Sequence, residues 1–279
     1  MTRVAAIDLG TNTTRLLIAD VEDGRVEELV RRGAVTGLGQ GVDESRRLRP
    51  DAIERVFAVL AEFRREADAL GAERALAVAT SAVRDAENGA GFLEDVERRF
   101  GFATRLLSGS EEAELTRRGI GALPETTLVL DVGGGSTELV LGPVRTSLDV
   151  GSVRLTERHL RTDPPTPAEL AAAADHVRSL LPDLAPSGAI GVAGTIGQLD
   201  ALLVRITLPA AEAELERLAL LPLAERRGVP RLDPDRAPTI VAGTLIVVEV
   251  LRRYRLPEIV FSVRDLLDGI AIEAARSQE

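Results

Sequence analysis

Two stretches of this chain set an acid, glycines and hydroxyls in a spacing that suits phosphate chemistry. Asp8-Leu9-Gly10-Thr11-Asn12-Thr13-Thr14-Arg15-Leu16-Leu17 aligns without a gap on Asp131-Val132-Gly133-Gly134-Gly135-Ser136-Thr137-Glu138-Leu139-Val140. An apolar run leads into each (Val4 to Ile7; Thr127 to Leu130) and another leads out (Arg15 to Ala19; Glu138 to Leu141). Strand, turn, strand is a hairpin, and its loop can offer backbone N–H groups and hydroxyls to a phosphate. A carboxylate at the end of the first strand suits magnesium or manganese, held directly or through water. A plain tight turn would need only the glycines, not matched acids and hydroxyls as well. We therefore expect phosphate contacts from Gly10, Thr11, Asn12 and Thr13 and from Gly133, Gly134, Gly135, Ser136 and Thr137. Asp131, with Glu138 and Asp8, is the candidate metal set. A pattern met twice also predicts two related half-domains facing one cleft.

The elements around these loops follow from periodicity. The first third reads as three strands, then helices alternating with strands. Ile53, Val56, Phe57, Leu60, Phe63, Ala67 and Leu70 share one face of a helix over Asp51 to Leu70, stopped by Gly71. Short strands are expected at Ala75 to Ala79 and Ala103 to Leu107, with a helix at Phe92 to Phe100 between them. Ser110 is expected to cap a helix from Glu111 to about Arg118. A second strand-rich run starts at Thr127. Thr166 and Pro167 open a helix to Leu181. Ala189 to Ala193 reads as a strand turning at Gly194-Thr195-Ile196-Gly197 into the helix Gln198 to Leu203. A long apolar helix, Thr239 to Arg253, precedes a strand at Glu258 to Phe261. The boundary is expected within Gly119 to Thr126, giving domains over 1–120 and 121–263, with a closing helix over 264–279 able to pack back on the first.

Composition narrows the function. At 279 residues the chain has room for two cores. It has no cysteine, which excludes disulfides, thiol catalysis and cysteine-held metals. All 34 basic residues are Arg, so no P-loop lysine and no Schiff base can form. A net charge of -10, few aromatics and no Trp argue against nucleic-acid binding. The longest apolar run, Ile240 to Leu251, is broken by Gly243 and Glu249 and is too short for a membrane span. The first strand begins almost at once, so no signal peptide is expected, and the expected setting is the cytoplasm. His159 and His176 lie on polar, helical-looking stretches without metal-ligand spacing and read as surface residues. The arginine pairs, such as Arg31-Arg32 and Arg117-Arg118, read mostly as solvated helix faces beside acids.

Taken in order, the motifs resemble the exopolyphosphatase / guanosine-pentaphosphate phosphohydrolase family of the actin-like ATPase superfold. The resemblance rests on the two loops, on Ala79-Thr80-Ser81-Ala82-Val83-Arg84-Asp85-Ala86, and on Ser108-Gly109-Ser110-Glu111-Glu112-Ala113. It implies an α/β fold of two ribonuclease-H-like (actin-like ATPase) domains with an interdomain cleft, in the short form without added C-terminal domains. Gly194 and Thr195 stand where the superfold's third loop belongs. By resemblance Glu112 is the general base and Arg84 the phosphate clamp, with Glu111 facing solvent. The implied reaction is magnesium-dependent hydrolysis of terminal phosphate from inorganic polyphosphate, or of guanosine pentaphosphate or another nucleotide. Family habit extends to homodimers. A small-molecule kinase of the same superfold would keep the two loops but have no use for Glu112 and Arg84 in these motifs. A filament-forming assembly protein is a third class. Three departures bear on the second half of the chain, one being that a glycine-rich stretch usual in the second domain is not recognisable around Thr207 to Glu214. An Arg often precedes the acid–Gly pair near the C-terminus, where this chain reads Leu266-Leu267-Asp268-Gly269, and Arg236-Ala237-Pro238 has Pro where an acid is usual.

Overall fold

Residues 1–276 are described by the structure, a computed structural model. The end of the expected closing helix, 277–279, lies outside the described residues. The chain divides into two compact units: Met1–Gly121 with the segment that starts at Arg264, and Ala122–Val263.

The first unit runs β1 (Thr2–Leu9), β2 (Thr13–Glu22), β3 (Arg25–Val35), α1 (Val42–Ser45), α2 (Pro50–Ala69), β4 (Arg74–Ala79), α3 (Ser81–Asp85), α4 (Gly89–Phe100), β5 (Ala103–Leu106) and α5 (Gly109–Ile120). The second runs β6 (Thr127–Val132), β7 (Thr137–Leu141), β8 (Val144–Leu148), α6 (Ser152–His159), α7 (Pro167–Leu180), β9 (Gly188–Val192), α8 (Ala193–Leu202), β10 (Ile206–Thr207), α9 (Leu208–Leu220), α10 (Leu223–Arg226), α11 (Ile240–Tyr254) and β11 (Glu258–Phe261). The last helix, α12 (Leu266–Arg276), packs on β1, β2, β4 and α5 of the first unit.

The repeat in sequence is a repeat in topology. The first sheet has the order β3-β2-β1-β4-β5. Its first three strands are antiparallel neighbours, and β4 and β5 run parallel to β1. The second sheet, β10-β11-β9-β6-β7-β8, has the same order and directions once the two-residue strand β10 is set aside. This ribonuclease-H-like order, met twice, is the α/β class the sequence predicts.

Alternation along β1 explains why it reads as one apolar run. Ala5, Ile7 and Leu9 pack against α2 through Val56, Phe57, Leu60 and Phe63, while Val4 and Ala6 face α12 through Leu267, Ile270 and Ala271. A strand buried on both faces has no polar positions to show. In the second unit Leu128, Leu130 and Val132 of β6 join a core with Val177 of α7 and Leu245 and Val248 of α11. Helices α5 and α12 approach closely because Gly119 and Gly269 lack a Cβ. A side chain at Gly119 would overlap the Asp265 carbonyl and lie 2.7 Å from the Gly269 nitrogen.

Two helix starts differ from expectation. Helix α5 is capped by Ser108 rather than Ser110: its hydroxyl accepts from the Glu111 N–H at 3.3 Å, and Glu111 returns a bond to the Ser108 N–H at 2.8 Å. Helix α8 begins at Ala193, directly from β9, so Gly194 and Thr195 occupy its first turn instead of a preceding loop. No helix among the described residues is long and apolar enough to cross a membrane.

Candidate functional site

Both hairpin loops close in the same way. The Gly10 N–H donates to the Thr13 carbonyl at 3.1 Å, and the Gly133 N–H to the Ser136 carbonyl at 3.0 Å. Strand register then fixes what stands beside each acid. Asp8 is paired with Arg15 across β1 and β2, whereas Asp131 is paired with Glu138 across β6 and β7. Directly opposed residues share one sheet face with Cβ atoms about 5 Å apart.

In the first unit the opposed pair neutralises itself. Arg15 donates to Asp8 Oδ2 from Nε at 2.9 Å and approaches it with Nη2 at 2.8 Å, and its Nη1 bonds Asp265. Burial pushes the Asp8 carboxyl up from its ordinary pKa, against the downward pull of Arg15. Arg31 of β3 extends the network, donating to Asp268 Oδ2 at 2.9 Å. The Asp265 N–H donates to the same Asp268 oxygen at 3.1 Å. The network ties the first hairpin to the entry of α12.

In the second unit two acids face each other. Asp131 is 5% exposed and Glu138 1% exposed, and Ser147 Oγ donates to Glu138 Oε1 at 2.7 Å. Carboxylate oxygens are the donors hard cations take, and two carboxylates on one sheet face offer them together. The residues therefore fit magnesium or manganese. Among the described residues no group of three acids, histidines or cysteines converges on one cation position. Further ligands would have to be water or substrate oxygens.

The expected base and clamp come together in the first unit. Glu112 sits in the first turn of α5, 6% exposed, and its Oε2 is 3.6 Å from Arg84 Nη1. The same Nη1 donates to the Leu107 carbonyl at 2.7 Å, which fixes the guanidinium at the end of α3. Helix α3 abuts the first loop, since Gly39 is wedged between the side chains of Thr11 and Ala82. Glu111 does not simply face solvent. The Ser108 hydroxyl and N–H, helped by Arg105, hold its carboxyl down at about 2.

Around Gly194 the sequence missed a cation. The Arg236 guanidinium lies against Gly194, where any Cβ would collide with it. The signal was present in Arg236-Ala237-Pro238, a segment singled out only for its Pro. A Cβ on Gly243 of α11 would lie 2.6 Å from Thr195 Cγ2 and 3.5 Å from Ser152 Cβ. Because the Ser152 N–H donates to the Gly133 carbonyl at 2.9 Å, Thr195 adjoins the base of the glycine loop. The two histidines also differ from expectation: their rings meet at a tilt, centroids 4.9 Å apart, between α6 and α7, half-buried. Of the arginine pairs, Arg118 meets Glu273, Arg252 meets Glu212 and Glu249, and Arg253 meets Asp183.

Comparison with known proteins decides the family. The sequence profile described as the Ppx/GppA phosphatase family matches residues 17–278. The chain belongs to that family. Among its Ppx/GppA relatives, Exopolyphosphatase 2 of Mycobacterium tuberculosis is 37% identical, with 99% of each chain covered. A solved exopolyphosphatase-like protein is 32% identical and superimposes with a TM-score of 0.91 over 99% of each chain. The Aquifex aeolicus PPX-GPPA enzyme is 31% identical, with a TM-score of 0.81, over 98% of this chain and 99% of that one. The position before Asp268 holds Leu267, 1% exposed, and Arg31 from β3 supplies a guanidinium to Asp268.

Proposed function

We propose that this Ppx/GppA protein is a cytoplasmic exopolyphosphatase that hydrolyses the terminal phosphate of inorganic polyphosphate with a bound magnesium or manganese ion. The observation that carries the reading is Glu112. It is a buried carboxylate beside the Arg84 guanidinium, at the head of a helix next to a loop of amides and hydroxyls. The pair stands in the two motifs, Ala79 to Ala86 and Ser108 to Ala113, whose resemblance is to the hydrolase family and not to a kinase of the same superfold. Full-length identity to a protein named Exopolyphosphatase 2 supports the same choice.

The chemistry follows from the residues. Phosphoanhydride hydrolysis needs an in-line water, a clamped phosphoryl group and neutralised charge. Glu112 takes a proton from the attacking water as the new P–O bond forms. The bridging P–O bond breaks, and the shortened chain leaves with the bridging oxygen. Arg84, anchored through Nη1, presents its other N–H groups to non-bridging oxygens. Loop N–H groups and the hydroxyls of Thr11, Thr13 and Ser136 bind phosphate oxygens. Thr137 contributes differently, since its hydroxyl donates to the Val150 carbonyl at 2.6 Å. Asp131 and Glu138 would hold the cation, which supplies charge neutralisation to the phosphates. Asp8 is left out of that set, because Arg15 already answers its charge. Arg236 adds a positive group at Gly194 and Thr195.

The test is phosphate release by the purified protein with magnesium, comparing polyphosphates of several lengths, guanosine pentaphosphate and ATP. Release from polyphosphate is the expected result. Release mainly from the guanosine compound would move the assignment to alarmone hydrolysis, and no release from any would return the kinase and assembly readings.

A further inference from the structure

The two loops share a support that the sequence repeat does not include. It lies in the segments that leave the third strand of each sheet, after β3 and after β8. In the first unit the Thr11 carbonyl accepts from the Gly39 N–H at 2.7 Å, and the Asn12 carbonyl from the Thr36 and Gly37 N–H groups at 3.0 Å each. In the second the Gly133 carbonyl accepts from Ser152 at 2.9 Å, and the Gly134 carbonyl from Val153 at 2.8 Å and Arg154 at 3.1 Å. A hydroxyl tie repeats as well. Thr14, fully buried, shares a 3.0 Å hydrogen bond with the Thr36 hydroxyl, and its counterpart Thr137, also fully buried, bonds the Val150 carbonyl.

Each support meets its loop at a glycine. A Cβ on Gly39 would overlap Thr11 Cγ2 and lie 3.0 Å from Ala82 Cβ. A Cβ on Gly151 would lie 2.5 Å from the Gly134 carbonyl carbon and oxygen and 2.6 Å from the Gly135 nitrogen. Thr11 and Gly134 are the same position of the ten-residue repeat, so the contact is duplicated. In a planar trans peptide the C=O and the following N–H point oppositely. Holding the Thr11 and Gly134 carbonyls against the support therefore turns the Asn12 and Gly135 N–H groups away from it.

We propose that Gly39 and Gly151 are positioning residues that aim the Asn12 and Gly135 N–H groups at phosphate oxygens of the substrate. This rests on the hydrolase reading above. Preset amides of this kind act only if they do not have to reorient during reaction, and a displacement of about 1 Å can cost a hundredfold in rate.

The two sites give different tests. The overlap at Gly39 is with a side-chain methyl that Thr11→Ser removes, while that at Gly151 is with backbone that no side-chain change relieves. The experiment is a double-mutant cycle on the full chain, measuring kcat and KM with polyphosphate for Gly39→Ala, Thr11→Ser and the double variant. Hydrogen exchange over residues 8–14 is followed alongside. Gly39→Ala is expected to lower kcat about tenfold or more in the Thr11 background and much less in the Thr11→Ser background, with loop exchange faster in the first and restored in the second. Gly151→Ala is expected to lower kcat at least as far, with exchange faster over residues 131–137. Equal losses in both Thr11 backgrounds, or a Gly151→Ala enzyme with wild-type kcat, overturn the proposal. Should Gly39→Ala not fold, recovery of folded, active protein in the double variant supports it, and failure of the double variant to recover overturns it. If no variant, wild type included, releases phosphate, the hydrolase reading fails, while the exchange pattern still reports whether Gly39 sets the loop.

Discussion

Asp131 and Glu138 stand directly opposite each other across β6 and β7, in the register that sets Asp8 opposite Arg15 across β1 and β2. One hairpin thus carries two facing carboxylates and its counterpart an ion pair. The difference is a single position of the repeat, Glu138 against Arg15. It gives two otherwise equivalent loops different side chains beside the shared acid position, a carboxylate in one and a guanidinium in the other.

Glu112→Gln should abolish phosphate release while leaving substrate binding. A general base contributes about 10²–10⁴ in rate, so kcat should fall by about that factor with KM little changed. Steady-state kinetics checks this, with binding measured separately by calorimetry on the inactive variant. Retained turnover would remove Glu112 from the base role.

Arg84→Lys is expected to behave as a loss. Lysine keeps the charge but loses the planar fork that bonds Leu107 and that the proposed mechanism turns to phosphate. Removing a preset donor of this kind costs about a hundredfold in kcat. Similar kcat in Arg84→Lys and wild type would show that charge alone suffices.

Ser108→Ala should lower stability by about 1 kcal/mol, the usual worth of an N-cap, read as a lower denaturant midpoint at unchanged slope. The capping box has a pH signature. The Glu111 carboxyl, held at about 2 in the folded chain against 4.5 ordinarily, favours folding above 4.5. That contribution falls away as pH drops through about 2. Glu111→Gln should flatten this part of the acid unfolding curve.

The cap also shows where sequence reading stops. Ser108 and Ser110 are chemically equal cap candidates, with hydroxyls 3.2 Å apart. Only the turn taken after β5 selects the first. The repeated loops were legible because each lies between strands buried on both faces, which leaves an unbroken apolar signature. The partner of Asp268 was not, because Arg31 lies 237 residues away in sequence and meets it only through sheet order. The loop supports after β3 and β8 escaped for another reason: their contacts use backbone N–H groups, which every residue but proline carries.

His159 and His176 predict a second pH effect. Burial, then the neighbouring His176 and the nearby Arg158 and Arg161, lowers the His159 pKa from its ordinary value near 6.5. A histidine less basic when folded takes up its proton preferentially on unfolding, so stability is retained above about 6.5 and lost as pH falls below it. Denaturation midpoints at pH 7.5 and 5.5 should differ more for wild type than for His176→Gln. With only two histidines in the chain, their NMR titrations can be read directly.

The central assignment is tested most directly by the magnesium dependence of phosphate release from polyphosphate. Wild type should require the ion. In Asp131→Asn and in Glu138→Gln the half-saturating concentration should rise about tenfold or more. Asp8→Asn should lower the rate without moving that concentration. Metal-independent release by the wild type, or a midpoint that shifts with Asp8 and not with Glu138, would contradict the account.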